Sequence, residues 1–491
     1  MEAFTSFLRS YIGGGGGTDT FGARPIESSR AVEVTPVGRR PRHSAAADAQ
    51  LVPARSGHRS FVQGYYLYVL GGYNPRNASA LLATDDAAED DADGEPLLFR
   101  QLWRLNLLTH RWRKVDVEDD NFPAEMASFA LLHQPYYGRA IMSGGTAFPF
   151  GEAVTGAVRI LQFLDSGRSS SLSAACRQKP RFVDADLSVD VLPTPTTEAD
   201  QYDGDATNDP STAANVQMPS PCFGQCLMEK SANVFYQVGG TTGYAYNMDV
   251  HQCRLVEADN GRVEARWRCL YSTQQHGAAA VKPRYRHECV LWREKIFVFG
   301  GGTQMQSFGF QNLDVFNLST RHWERLPTLG DGRLRSNDGY PPPRRCHGLV
   351  KTSADDVIII GGYSGAQSGL PLGHAQTQRK RLLHDVWRFN LESLQWTRLP
   401  TSLPTPVYFH SASITDEGCV YTYGGVCDAE GFERTAKAFK FWIKPPPLRY
   451  LAVKQLLHRY PDLERISQSS LVSIGVPRDM AVVIKDSDMA A

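Results

Sequence analysis

A short run of bulky apolar residues closed by two glycines occurs six times in this chain, as YLYVLGG, AIMSGG, VFYQVGG, KIFVFGG, VIIIGG and CVYTYGG. The second glycines are Gly72, Gly145, Gly240, Gly301, Gly362 and Gly425, separated by 73, 95, 61, 61 and 63 residues. Self-similarity at such a period means one supersecondary unit used repeatedly. The runs are short, rich in β-branched and aromatic residues and stopped by glycine, so each predicts a buried strand rather than a helix. Glycine lets the chain turn with positive φ where a side chain could not.

Two further signals travel with the pairs. Downstream of four of them lies a strand with a leucine or phenylalanine and, seven residues on, a tryptophan: Leu105 and Trp112, Phe316 and Trp323, Phe389 and Trp396, with a looser version around Trp267. Upstream lie ARSGH, EMASF, FGQCL, RYRHE, RRCHG and VYFHS, short segments with polar or basic residues among them. Together these features resemble the kelch repeat. The resemblance implies an all-β, six-bladed propeller, each blade a four-stranded antiparallel sheet. After Gly425 the sixth repeat offers only AFKFWI (Ala438–Ile443) before PPP, so its fourth strand must come from elsewhere. RAVEVTP (Arg30–Pro36) alternates apolar and polar residues and is the candidate closing strand.

The propeller would span 30–444, between a Gly-rich arm at 1–29 and a tail at 445–491. Two insertions break the period: an acidic one at 84–95 and one at 166–220 rich in Ser, Thr, Ala, Asp and Pro. Neither carries enough apolar surface to offset its ordering entropy, so both are expected to be mobile loops. Repeat 2 lacks the tryptophan, which leaves its outer strand without a marker.

With 52 basic and 52 acidic residues the formal charge is zero. That argues against a general nucleic-acid or anionic-membrane binder, whose affinity rests on excess cations. The N-terminus lacks a secretory pattern, no membrane-length apolar run occurs, and nine cysteines are scattered without dense pairing. We therefore expect reduced thiols and a cytosolic or nuclear protein.

In the tail, Leu448, Leu451, Ala452 and Leu456 fall at helical spacing and form one apolar stripe, with Lys454 well off it. Pro461 would end that helix, and a second apolar stretch, Ser469–Ile484, follows. The helix could pack back on the repeats or serve a partner's groove. PLRYLAVKQL (Pro447–Leu456) resembles the elongin-binding BC box, with Ala452 in place of the usual cysteine, and Ile474, Val476 and Pro477 of IGVP resemble the cullin-contacting segment that follows it.

Segments such as PARSGHRS, LYVLGGYNP, PLLFRQLWR, FPFGE, VGGTTGYAY, RYRHE, RRCH and PVYFHSASITDEGCVYTYGGV resemble the kelch domain-containing protein 10 family over most of the chain. That resemblance implies a substrate receptor of a cullin-2 RING ubiquitin ligase, which binds elongin B/C, cullin-2 and a RING subunit and captures substrate C-termini ending in glycine. It also implies a link to stress-activated MAP kinase kinase kinase signalling.

The cluster RRCH (Arg344–His347) raises sharper chemistry. Zinc needs four ligands, and adjacent Cys346 and His347 on a strand point to opposite faces. A nucleophilic cysteine needs a positioned base, and the sibling repeats carry Gly57, Arg286 and Phe409 at this place. Neither a metal nor a catalytic cysteine is expected here, and no cofactor.

His58, His287, His347 and His410 recur, as a structural role through ring-nitrogen hydrogen bonds would require. The arginines Arg55, Arg284, Arg286, Arg344 and Arg345 come from three repeats whose equivalent loops open on one face near the axis. Convergent guanidiniums suit a terminal carboxylate. Arg345 and then Arg286 lead, since siblings vary there. Phe223, Tyr285, Tyr408 and Phe409 could wall the site, with Ser56 and Gln225 as neutral donors. Three readings stay open: a non-catalytic ligase receptor, an enzyme of kelch-oxidase or epimerase type, and a scaffold activating stress-responsive MAP kinase kinase kinase signalling without ligase activity. The enzyme reading lacks paired tyrosine and histidine copper ligands and paired axial carboxylates.

Overall fold

The computed structural model describes residues 30–34, 52–75, 97–163, 179–189, 218–258, 262–276, 280–335, 338–365, 381–460, 463 and 466–485. The Gly-rich arm at 1–29 and the acidic insertion at 84–95 lie outside the described residues. Among the described residues the chain is all-β up to Trp442, apart from isolated helical turns. Each repeat opens on a short strand: Arg59–Gln63, Ala130–Gln134, Cys226–Ser231, Glu288–Trp292, Gly348–Lys351 and Ser411–Ile414. The apolar runs read from the sequence form the next strands, such as Tyr66–Leu70 and Cys419–Tyr423, both buried along their whole length.

Four of the sheets have four antiparallel strands, and one of these takes its edge strand from the N-terminal segment. Val32–Glu33 pairs with Ala438–Trp442, Val32 opposite Lys440 and Glu33 opposite Phe439. Repeats 2 and 3 merge into one eight-stranded sheet because their outer strands, Arg181–Val189 and Val263–Tyr271, pair in parallel. Arg181–Val189 lies inside the span 166–220, whose composition predicts a mobile loop throughout. The structure corrects that expectation: nine residues of the insertion are the missing outer strand of repeat 2. The signal is present, because residues 183–189 alternate strictly between apolar and polar, but the Ser-, Thr-, Asp- and Pro-rich composition around them masks it.

Two circuits of backbone hydrogen bonds run through all six repeats and return to their start. In one, the N–H groups of Gly72, Gly145, Gly240, Gly301, Gly362 and Gly425 donate to the carbonyls of Met126, Cys222, Arg284, Arg344, Val407 and Arg55, at 2.8 to 3.2 Å. In the other, Gly57, Ser128, Gly224, Arg286, Cys346 and Phe409 each donate to the preceding member, Gly57 to Phe409, at 2.8 to 3.1 Å. All six of these residues have positive φ, between 55° and 69°. We call this second circuit the belt.

The belt explains the double glycine. The residue after each belt position lies over the first glycine of the preceding repeat. A Cβ on Gly239, Gly300, Gly361 or Gly424 would come within 2.7, 3.0, 3.0 and 2.7 Å of Cε1 of His287, His347, His410 and His58. The second glycine meets the same position of its own repeat, as Gly362 does His347 Cβ at 2.8 Å. The pair is thus clamped between two repeats, and any side chain there would force them apart.

The tail is helical: α1 (Leu448–Arg459), α2 (Gln468–Ser473) and α3 (Arg478–Lys485). It shares a core with repeats 1 and 2, where Tyr450, Val453, Leu457, Leu471, Val476, Met480, Val483 and Ile484 pack among Phe61, Tyr68, Leu108 and Phe163. Each of the larger side chains gains about 1.5–3 kcal/mol from such burial. Asn106 Nδ2 donates to Val483 O at 2.7 Å and Tyr65 Oη to Asp479 at 3.0 Å. No described helix is long and apolar enough to cross a membrane.

Candidate functional site

The five arginines divide by their place relative to the belt. Arg55, Arg284 and Arg344 stand two residues before it and share one bonding pattern. Each donates Nε to the carbonyl two residues earlier, at Pro53, Lys282 and Pro342, and one terminal nitrogen to the first glycine of its pair, at Gly71, Gly300 and Gly361. The remaining nitrogen reaches the start of the third strand: Gln101 for Arg55, Asp314 for Arg284, and a two-pronged grip on Asp385 for Arg344 at 2.8 and 2.9 Å. These three fasten the repeat to itself, which corrects the candidacy of Arg55, Arg284 and Arg344 for the ligand-facing set. Gln225 is likewise internal: it follows the belt, is fully buried, and donates to Ser143 O at 2.8 Å.

Arg286 is different because it is a belt residue. A Cβ placed on Gly57, the member farthest from it around the belt, would lie 3.7 Å from an Arg286 terminal nitrogen. The side chain therefore spans the inside of the ring. It donates to Ser128 Oγ, its guanidinium lies 4.6 Å over the Phe409 ring, and its Nε has no hydrogen-bond partner. Burial pushes this guanidinium down from its ordinary value.

Arg345 stands one residue before the belt and is fully buried. Its donors go to Tyr363 Oη at 2.5 Å and to the carbonyls of Gln306 and Gln304 at 3.1 and 3.2 Å, and it stacks 4.8 Å from the Tyr363 ring. Every one of these partners is neutral. Arg345 is also a loop fastener, so Arg286 replaces it as the leading ligand-facing cation.

The position of Arg345 recurs as Ser56, Ala127, Phe223, Tyr285 and Tyr408, each bridged to the residue that directly follows a glycine pair: Tyr73, Thr146, Thr241, Gly302, Tyr363 and Val426 across the six repeats. Tyr285, Phe223 and Phe409 are half-buried, whereas Tyr408 and Ser56 are buried. Around them the loops after the glycine pairs expose Phe148, Phe150, Tyr244, Met305 and Phe432. Sequence reasoning missed Tyr363, Tyr73 and also Arg434, whose Nε donates to Ser56 Oγ at 3.2 Å. A signal existed, because Tyr73 and Tyr363 sit one residue beyond the glycine pair in repeats 1 and 5.

His58 holds its place through the ring-nitrogen hydrogen bonds expected of it, whereas His287 and His347 do not. His58 Nε2 meets Tyr423 O at 3.1 Å and Ser411 Oγ at 2.9 Å. His287 and His347 leave both ring nitrogens without a hydrogen-bond partner, and their work is to fill the space over glycine. Burial holds His58 and His347 well below the ordinary histidine range.

In the tail, α1 buries Tyr450, Val453 and Leu457 instead of the stripe read from sequence. Leu448 and Leu451 are 76% and 45% exposed, and Ala452 and Leu456 are half-buried. Lys454, expected on the outer side, turns inward: Nζ meets Leu108 O at 2.8 Å and His110 Nε2 at 3.1 Å, and burial lowers it to about 7. Ile474 is exposed and Pro477 half-buried, but Val476 is buried in the chain's own core and turned away from any partner.

Residues 207–425 match the family profile described as the KLHDC2/KLHL20/DRC7 Kelch-repeats domain. Kelch domain-containing protein 10 of Rattus norvegicus is 32% identical over 434 residues, which cover 88% of this chain and 86% of the relative. The chain belongs to the kelch domain-containing protein 10 family. The Homo sapiens member is equally similar, with 80% of its length covered, and the Drosophila melanogaster homolog is 29% identical over 439 residues, covering 87% of this chain and 61% of its own. In this family member the kelch repeats form an all-β interaction scaffold, with the belt and the Arg286 side chain inside the ring.

Proposed function

We propose that the chain is a six-bladed kelch propeller that serves as the substrate-receiving subunit of a cullin-2 RING E3 ubiquitin ligase. It would take C-terminal, glycine-ending degrons on the face around Arg286, and recruit elongin B/C and cullin through the tail. The role is non-catalytic, and a cytosolic or nuclear setting follows from it.

One observation carries the degron reading. Arg286 reaches across the inside of the ring, donates only to a neutral hydroxyl oxygen, and keeps its Nε buried without a partner. Buried charges are ordinarily paired, so an anion is the missing partner. A terminal carboxylate fits through charge-assisted bonds to the free Nε of Arg286 and the adjacent terminal nitrogen. Glycine as the last residue allows close approach, and Tyr285, Phe409 and the exposed loop aromatics would hold the residues before it.

The outer face of α1 supports elongin recruitment. An exposed Leu448 beside exposed Leu451 and half-buried Ala452 is an apolar strip that the chain's own core leaves open, while Leu456 packs partly against that core. Ile474 and Pro477 are the accessible part of the proposed cullin contact.

The test is co-purification with elongin B and elongin C. The intact chain is expected to retain both, and Leu448→Arg with Ala452→Arg to retain neither while the kelch repeats still unfold at the native temperature. Retention by the double variant would favour the scaffold reading, with stress-kinase signalling and no ligase.

A further inference from the structure

Cys226, His287 and Cys289 form a cluster that the degron and elongin readings do not use. Cys226 opens the first strand of repeat 3, and His287 and Cys289 share one face at the start of the first strand of repeat 4. The two sulfurs and an imidazole nitrogen lie within 4.8 Å of one another. His287 is 0% exposed, and both its ring nitrogens lack a hydrogen-bond partner. The junction between repeats 6 and 1 repeats the arrangement with the polar contact made. There His58 Nε2 meets Ser411 Oγ at 2.9 Å, and Ser411 holds in repeat 6 the place that Cys226 holds in repeat 3.

We propose that Cys226, His287 and Cys289 bind a thiophilic divalent cation with the chemistry of Zn2+, stapling repeat 3 to repeat 4. Tetrahedral zinc with bonds of about 2.0–2.3 Å places its ligands about 3.4–3.8 Å apart, so the three side chains need close by only about 1 Å. Charge also fits. Binding releases one proton from each thiol, and two thiolates neutralise one Zn2+, which suits a site this buried. Glu288, between the two ligands on the strand, pairs with Arg59 at 3.0 Å and adds no charge of its own. Cys289 is half-buried and provides the path by which the ion arrives, and solvent completes the fourth position.

The reduced full chain is titrated with Cd2+ as a spectroscopic probe and then with Zn2+ as competitor. The expected result is a thiolate-to-cadmium ultraviolet band that saturates at one ion per chain and disappears as Zn2+ is added. Cys289→Ser should weaken binding at least about tenfold, and the half-buried control Cys427→Ser should not. His287→Gln should also weaken binding, with the thiolate band retained once Cd2+ is in excess. Because the His287 ring fills the space over Gly239, the serine variant, which leaves that space filled, decides the matter where the glutamine variant does not fold. No band at stoichiometric Cd2+, or an equal band in Cys289→Ser, overturns the site.

Discussion

Arg286→Gly separates ligand binding from folding more cleanly than any other substitution on this face. The side chain gives the fold one charge-assisted hydrogen bond to Ser128, worth about 1.5–3 kcal/mol, and a cation–π contact with Phe409, worth about 0.5–2 kcal/mol. Against this, Arg286 sits at φ 55°, where a non-glycine residue costs about 1–2 kcal/mol that glycine does not. Its Nε is also buried without a partner, and the substitution removes that cost too. The terms oppose one another, and the backbone bond from residue 286 to Gly224 O survives. Folding stability should therefore move by no more than about 1 kcal/mol. Binding has no such compensation. A charged hydrogen bond to a carboxylate is worth about 1.5–3 kcal/mol, so a peptide ending in free glycine should bind about tenfold to 150-fold more weakly. Calorimetry on the acid and its C-terminal amide provides the control. The native chain should prefer the acid, and Arg286→Gly should bind both alike. Undiminished preference for the acid in the variant would refute the assignment of Arg286.

Arg344→Met leaves Asp385 buried without its guanidinium and should cost about 3–5 kcal/mol in denaturant unfolding, far more than Arg286→Gly. Gly361→Ala would put a Cβ 2.8 Å from Val407 O and 3.0 Å from His410 Cε1 at positive φ, and should destabilise by at least about 2 kcal/mol on the same assay. Lys454 has its value lowered from 10.5 to about 7, so between these values the unfolded tail binds the extra proton. Tail docking should therefore strengthen as pH rises from about 7 towards 10.5, read as slower amide exchange in α1 after correction for intrinsic rates, and Lys454→Met should flatten that trend.

What the sequence made legible is what six repeats must share. Every repeat needs two positions without a Cβ, so the glycine pairs stand out, and the alternation in RAVEVTP marks a strand with one face to cover. Roles that differ by a single residue of offset were not legible. Arg344 and Arg345 are adjacent, yet one fastens its own sheet and the other a neighbouring loop. Arg286, one place further on, enters the ring only because the left-handed belt residue resets the direction of side chains. The outer strand Arg181–Val189 was hidden because its seven-residue alternation lies inside a long stretch whose overall composition is that of a loop. On α1 apolar residues occupy more than one face, so periodicity alone could not say that Tyr450, Val453 and Leu457 turn inward and leave Leu448 outside. The cluster of Cys226, His287 and Cys289 joins residues some sixty positions apart, a distance at which only the ring brings them together.

If one chain joins a degron to a ligase, ubiquitin transfer is the decisive measurement. The assembly is this chain with elongin B/C, cullin-2 and the RING subunit, offered a substrate whose tail ends in glycine. Ubiquitin chains are expected on that substrate, and they should be lost when the terminal carboxylate is amidated, in Arg286→Gly, or in Leu448→Arg. Transfer that ignores all three changes, or no transfer by the native assembly, would contradict the receptor function.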